Sequence, residues 1–203
     1  MRAISEGVIV VSANAPDATG AGLLREAIGY ALASADLVTP SLLPQPTPCA
    51  EWNLGMLLCH LSDSLDALTE GLAHGAVRLM AGAGGPEAQP AGLRIRCGRL
   101  LAVVPAAPAG RRIVIGDREL ADGVLACAGA IEVTVHGWDI SAACGIPRSI
   151  PDGLASALLE RAPLLLPGTA RDGLFAPALP ATRLATPADR LLAFLGREWP
   201  RKA

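Results

Sequence analysis

The stretch LGMLLCHLSDSLDALTEGL, at positions 54–72, decides the fold. Six of its leucines recur at alternating steps of four and three residues, namely Leu54, Leu58, Leu61, Leu65, Leu68 and Leu72. This spacing forms one apolar row along a helix, as in helices that pack in a bundle. The acidic residues Asp63, Asp66 and Glu70 fall on the opposite side. Thr47 as N-cap and Pro48 in the first helical position predict where this helix begins.

A second long helix is predicted over about 119–144, with Gly145 as its stop. Its apolar row repeats the same steps through Val124, Ala128, Ile131, Val135, Trp138 and Ala142. Shorter helices are predicted over about 17–38, 93–104, 152–161 and 186–196, the last with Thr186 as N-cap. Residues 112–117 predict a short strand and turn. The pattern as a whole indicates an all-α fold with one short β element.

Length and composition limit the class of protein. The 203 residues suit one domain, 1–203, in which 1–16 is an N-terminal arm and 146–203 a C-terminal extension. Lys and Arg number 17 against 19 Asp and Glu, and the only basic run is the tail at 197–202, so we expect no nucleic-acid partner. No apolar stretch reaches the roughly 18–20 residues of a membrane span, and the N-terminus is a poor signal peptide. We therefore expect a cytoplasmic protein.

The five cysteines point to no metal or redox motif. Their number is odd and no two of them have Cys-x-x-Cys spacing. Most lie in apolar segments, where a free Cys behaves as a small hydrophobic residue. We expect buried free thiols.

A carboxylate and a histidine in the second long helix carry the candidate chemistry. Glu132 lies in an apolar run, and no Lys or Arg occurs between Arg118 and Arg148. Because a buried carboxylate without a partner costs several kcal/mol in practice, a local group should neutralise it. His136 lies one turn on and on the same face, so the pair places two ligand groups on one cation. Asp139 is placed to orient His136 through its other ring nitrogen.

A third ligand must come from another helix. Only three histidines exist, and His60 lies at the edge of the leucine row. The alternative is a Glu132–His136 hydrogen bond inside a core, with no metal. His74 is predicted to be a solvated residue at its helix end. Trp52 and Trp138 are predicted to be core residues rather than substrate platforms.

Several blocks of the sequence resemble a known family. They are residues 47–52, 57–61, 132–139, 175–177 and 189–197. Together they are similar to the actinobacterial metal-binding proteins of the DinB-like superfamily, which are related to the N-terminal domain of mycothiol-dependent maleylpyruvate isomerase. The resemblance covers about residues 17–199.

The resemblance implies a DinB-like four-helix bundle with extra C-terminal helices. It implies that His60, Glu132 and His136 hold a divalent metal, zinc first, with nickel or iron as alternatives. It also implies that mycothiol binds through its thiolate at the open metal position and reacts with a small electrophile. The expected activity is that of a transferase or isomerase, and the partners are a small thiol and an electrophile.

Other readings of the same residues stay open. The segment Val8–Val11 is more strand-like than the family's helical start, and the sequence ends soon after Trp199, without the second domain of the full isomerase. A non-catalytic, dimeric binding or stress-response protein is one alternative. A metal-dependent hydrolase is another, with Asp139 or Asp63 as general acid–base candidates.

Overall fold

The computed structural model describes residues 19–49, 52–78, 90–104, 110–166, 175–182 and 184–198. Within them the chain forms α-helices α1 (Gly20–Ala35), α2 (Leu54–His74), α3 (Pro90–Val103), α4 (Asp122–Ala143), α5 (Asp152–Leu165) and α6 (Pro187–Phe194). The strands are β1 (Ala76–Val77), β2 (Arg112–Ile115) and β3 (Arg118–Ala121). The expected all-α class with a short β element is confirmed. The predicted N-terminal arm and its segment Val8–Val11 lie outside the described residues.

Four helices form the bundle. Helix α1 packs on α3 and α4, and α2 packs on the same two helices, so the four close into a ring. Helix α5 packs on α4 and α1, and α6 on α5. The predicted leucine row of α2 is confirmed, because all six leucines are buried. No described helix combines the length and apolarity that crossing a membrane requires.

Helix α4 runs through the centre of the molecule. From Gly129 to Ser141 every residue except Glu132 is buried, so this part of the helix is covered on all sides. The apolar row predicted for α4 is exposed at its start, since Val124 is 43% exposed. Some side chains of α4 are therefore exposed in its first turns, whereas those around Glu132 and His136 are buried.

Two predicted helix starts are wrong. Helix α2 begins at Leu54 with Asn53 as N-cap, whose side chain accepts from the Met56 amide. The Thr47 hydroxyl instead donates to the Trp52 carbonyl at 2.9 Å and closes a turn before the helix. Helix α4 begins at Asp122, because Glu119 pairs with Val114 in the hairpin.

The ends of the shorter helices also differ from the prediction. Helix α1 has Thr19 as N-cap and ends at Ala35, before Val38. Helix α3 begins at Pro90, and α5 continues to Leu165 with Pro163 inside it. The predicted start of α6 is confirmed, since Thr186 and Asp189 form a capping box.

A three-stranded sheet takes the place of the single predicted strand. Strand β2 pairs parallel with β1 and antiparallel with β3, in the order β1-β2-β3. Gly116 has φ of 61° in the two-residue turn between β2 and β3, a conformation that favours glycine. The sheet covers the end of α2, where the Val114 amide donates to the Gly75 carbonyl.

Glycines at two helix positions are expected to respond oppositely to an added methyl group. A Cβ at Gly137 would lie 3.0 Å from Cα of Ala31, whereas a Cβ at Gly98 meets nothing within 4 Å. We expect Gly137→Ala to lower the free energy of unfolding by about 1–2 kcal/mol, because α1 must move away from α4. Gly98→Ala should raise it by about 0.4–1 kcal/mol through the unfolded state. Urea unfolding of the two variants checks both signs, and equal shifts would contradict the close approach of α1 and α4.

Candidate metal centre

The three predicted ligand side chains meet between α2 and α4. The Nε2 atom of His60, on α2, lies 2.7 Å from Oε1 of Glu132, on α4. The Nε2 atom of His136, one turn further along α4, lies 3.3 Å from the same oxygen. The cluster thus joins residues that are far apart in the sequence through the packing of α2 on α4.

The donor set suits a divalent cation. One ligand atom from each of His60, Glu132 and His136 can be chosen so that all three lie within 4.8 Å of one another. With zinc–ligand distances of about 2.0–2.1 Å, the edges of a tetrahedral site are about 3.3–3.4 Å long. The His136–Glu132 separation of 3.3 Å matches such an edge, and the His60–Glu132 hydrogen bond is shorter. Imidazole and carboxylate ligands also suit nickel and iron.

The cluster is open on one side and closed on the other. The His60 side chain is 37% exposed and that of Glu132 is 25% exposed, whereas His136 is buried. A ligand approaching from solvent therefore meets His60 and Glu132 before His136. Three protein donors with one open side are typical of zinc sites that bind a further ligand.

The charges within the cluster are strongly coupled. Burial alone would raise the pKa of the Glu132 carboxyl, but hydrogen bonds from His136 and His60 outweigh it and hold that pKa well below its usual range. Burial alone would lower the pKa of His136, but hydrogen bonds to Asp139 and Glu132 outweigh it and raise the pKa to about 9. The His136 ring thus lies between the carboxylates of Glu132 and Asp139, and a cation bound to Nε2 would take the place of a proton there.

Two further buried side chains, Asp139 and Arg197, hold the His136 ring in place. Its Nδ1 atom lies 3.1 Å from Oδ2 of Asp139, which fixes the ring and leaves Nε2 facing Glu132. Asp139 is fully buried, and its carboxylate accepts from Nε of Arg197 at 3.1 Å and from Nη2 at 2.9 Å. The third guanidinium nitrogen donates to the Leu195 carbonyl. Arg197 therefore ties the segment after α6 to the centre of the bundle.

Two side chains at the open side were not predicted as site residues. The Ser64 hydroxyl donates to Oε1 of Glu132 at 3.1 Å, and Ser64 lies one turn after His60 on α2. The Trp52 ring lies against the His60 ring, with centroids 4.4 Å apart. Trp52 is half-buried and belongs to the site as well as to the core, whereas Trp138 is a fully buried core residue as predicted.

The remaining predicted residues lie elsewhere. Asp63 is exposed on the outer side of α2, and Asp139 contacts His136 and Arg197 rather than the open side. His74 is exposed in the last turn of α2, as predicted. All five cysteines are free, as predicted, but only Cys97 and Cys127 are buried, and Cys49, Cys59 and Cys144 are half-buried. Burial raises the pKa of Cys97 to about 11.

An apolar pocket of about 450 Å³ begins at the cluster. Glu132 and Ser64 stand at one end of it. Its walls continue along α2 and α4 to β1, β2, the end of α5 and Phe175. The open side of the cluster therefore borders a cavity large enough for a small molecule.

Fold and site together define a helical bundle with a histidine and carboxylate cluster between two of its helices. A family model described as "Mycothiol maleylpyruvate isomerase N-terminal domain" matches residues 24–141. The chain belongs to this DinB-like family, as the sequence resemblance predicted. His60, Glu132, His136 and Asp139 lie inside the matched range, and Arg197 lies beyond it.

Two proteins of Mycobacterium tuberculosis are similar to this chain in sequence. They are uncharacterized proteins of strains CDC 1551 and H37Rv. Each is 31% identical to this chain over 165 residues, which cover 75% of this chain and 83% of the relative. No solved structure gave a significant match.

Proposed function

We propose that this protein binds a divalent metal, preferably zinc, through His60, Glu132 and His136. The bound metal activates a small thiol for attack on an electrophile. The observation that supports this most is the convergence of two imidazoles and one carboxylate on a side open to solvent. Membership of the mycothiol maleylpyruvate isomerase N-terminal domain family supports mycothiol as the thiol. The proposed activity is therefore that of a mycothiol-dependent transferase or isomerase.

The proposal gives separate roles to the metal and to the side chains that surround its ligands. A divalent cation held there would lower the pKa of a coordinated thiol and so supply a thiolate nucleophile at neutral pH. Asp139 holds the His136 ring with Nε2 directed at Glu132, and Arg197 holds Asp139. Ser64 donates to one oxygen of Glu132 and so restricts the rotation of that carboxylate.

The proposal is tested by removing the metal. Protein purified without a metal-affinity tag should hold about one zinc per chain, or take it up when zinc is added. The zinc-loaded protein should form a conjugate between mycothiol and a fluorescent model electrophile, and chelator-treated protein should not. The conjugate is measured by chromatography, because the five cysteines of the protein would also consume the electrophile.

The outcomes separate the proposed activity from the other two readings. Restoration of conjugate formation by added zinc supports thiol activation. Equal activity of the loaded and the stripped protein would contradict it. Zinc-dependent ester hydrolysis without thiol would favour a hydrolase, and zinc binding without any turnover would favour a binding protein.

Binding of the metal should also stabilise the fold, because the ligands are brought together only when α2 packs on α4. At a free zinc concentration about 1,000 times the dissociation constant, linkage adds about 4 kcal/mol. Thermal unfolding with and without zinc measures this. A melting temperature that does not depend on zinc would mean that the folded cluster does not bind the ion.

A further inference from the structure

The pocket that begins at Glu132 has almost no polar wall. Fourteen described residues line it, and only Ser64 and Glu132 carry polar side-chain groups. The others are aliphatic, Phe175 or Gly129, and no Lys or Arg is among the described lining residues. The polar part of the pocket is therefore its end at the metal centre.

Two features keep this pocket open. Val124 and Ala128, in the first turns of α4, are exposed and line it instead of packing in the bundle. Gly129 lies against Leu68, whose methyl groups would be 2.6 and 2.7 Å from a Cβ at that position. The absence of a side chain at Gly129 lets α2 and α4 approach closely behind the cavity. The end of α5 and the residues after it complete the lining through Leu165, Leu166 and Phe175.

We propose that this pocket binds the electrophile, and that the electrophile is an uncharged molecule with an apolar body whose polar, reacting end lies at Ser64 and Glu132. This assignment of the substrate class rests on the proposed function. A ligand whose body carries a carboxylate would bury that charge against aliphatic walls, and the described lining residues include no cation to pair it, which is strongly unfavourable. An apolar body instead gains from leaving water, and its one polar group meets the metal centre.

The test measures binding of a neutral fluorescent probe, N-phenyl-1-naphthylamine, to the protein without added metal. Ala128→Phe places a ring in the cavity from an exposed helix position, so folding should be preserved. Ala102→Phe, at an exposed position of α3 outside the pocket, is the matched control. We expect one probe site, a loss of affinity of about tenfold or more in Ala128→Phe, and no change in Ala102→Phe. Equal binding by Ala128→Phe and the parent would overturn the proposal.

Displacement of the probe tests the charge of the ligand. Naphthalene-2,3-dimethanol and naphthalene-2,3-dicarboxylate have the same ring system and differ in charge. The neutral compound should displace the probe at a concentration at least about tenfold lower, with the protein either zinc-loaded or stripped. Equal displacement by the dicarboxylate would overturn the proposed substrate class.

A further variant separates failure of this inference from failure of the metal proposal. His60 does not line the pocket, so His60→Ala should keep the parent's probe affinity. If the parent protein binds the probe but takes up no zinc, the pocket stays assigned and thiol activation is refuted. Zinc uptake together with an unchanged probe affinity in Ala128→Phe would refute the pocket alone.

Discussion

Replacing Arg197 by methionine is expected to lower the free energy of unfolding by about 3 kcal/mol, because a buried carboxylate loses its guanidinium partner. Asp139 is fully buried, and Arg197 is 5% exposed. Two guanidinium nitrogens donate to this carboxylate, and after the substitution only the bond from His136 remains. Methionine fills much of the same volume, so the loss reflects charge rather than a cavity. Urea unfolding followed by far-UV circular dichroism measures it.

An exposed ion pair provides the matched control for Arg197. Arg94 pairs with Asp36 on the surface, where the two side chains are 54% and 52% exposed. Arg94→Met should change the free energy of unfolding by less than about 1 kcal/mol, since water solvates the remaining carboxylate. The double variant Arg197→Met/Asp139→Leu should recover part of the loss, because both buried charges are removed together. If Arg197→Met lowered the free energy of unfolding no more than Arg94→Met does, the buried ion pair of Arg197 and Asp139 would not stabilise the fold as proposed.

Substituting alanine for His60 is expected to weaken zinc binding by at least about a hundredfold. Outer partners of metal ligands already contribute about 10–100-fold to affinity, and removal of a direct ligand should cost more. The His60 ring is partly exposed and reaches the cluster through one hydrogen bond to Glu132. The bundle should therefore fold without it. Competition with a chromogenic chelator gives the zinc affinity, and circular dichroism confirms the helix content.

The second histidine of α2 is the natural control. His74 is exposed in the last turn of the same helix. His74→Ala should bind zinc with the affinity of the parent. If His60→Ala also retained full affinity, the third ligand would have to lie elsewhere and the proposed set would be wrong.

The proximity of His60, Glu132 and His136 was predicted from the helical spacing of the last two and from the small number of histidines in the chain. Glu132 and His136 are one turn apart, so any helix through them brings the pair together. His60 lies on the edge of a leucine row whose burial is confirmed, and this limits where its ring can point. Metal binding by the three residues stays a prediction.

The residues that support the cluster could not be predicted from periodicity. Arg197 lies 58 residues beyond Asp139, after a segment rich in Pro and Gly, and only tertiary packing brings the two together. Ser64 and Trp52 become site residues through the approach of α4 to α2, which no local spacing encodes. One signal was present: no Lys or Arg occurs between Arg118 and Arg148, so a buried Asp139 calls for a guanidinium or ammonium group from another part of the chain.

The errors in helix boundaries arose where two local signals competed. Thr47-Pro48 and Asn53 are both good helix starts, and the turn closed by the Thr47 hydroxyl decided in favour of Asn53. Glu119 fits a helical pattern, but Gly116 and Asp117 form a tight turn that returns the chain along β2. Pairing with β2 then takes Glu119 into a strand, and the helix starts after it.

Part of the wall of the apolar pocket is encoded separately from the cluster of His60, Glu132 and His136. The cluster and nine of the fourteen described lining residues stand on α2 and α4, whereas the other five come from β1, β2, the end of α5 and Phe175. Substitutions at Ile115, Leu165 or Phe175 can therefore reshape the cavity during evolution without moving His60, Glu132 or His136. Under the proposed function, proteins that keep the cluster can diverge in the molecules they accept, because selection can act on these wall positions and on the cluster independently.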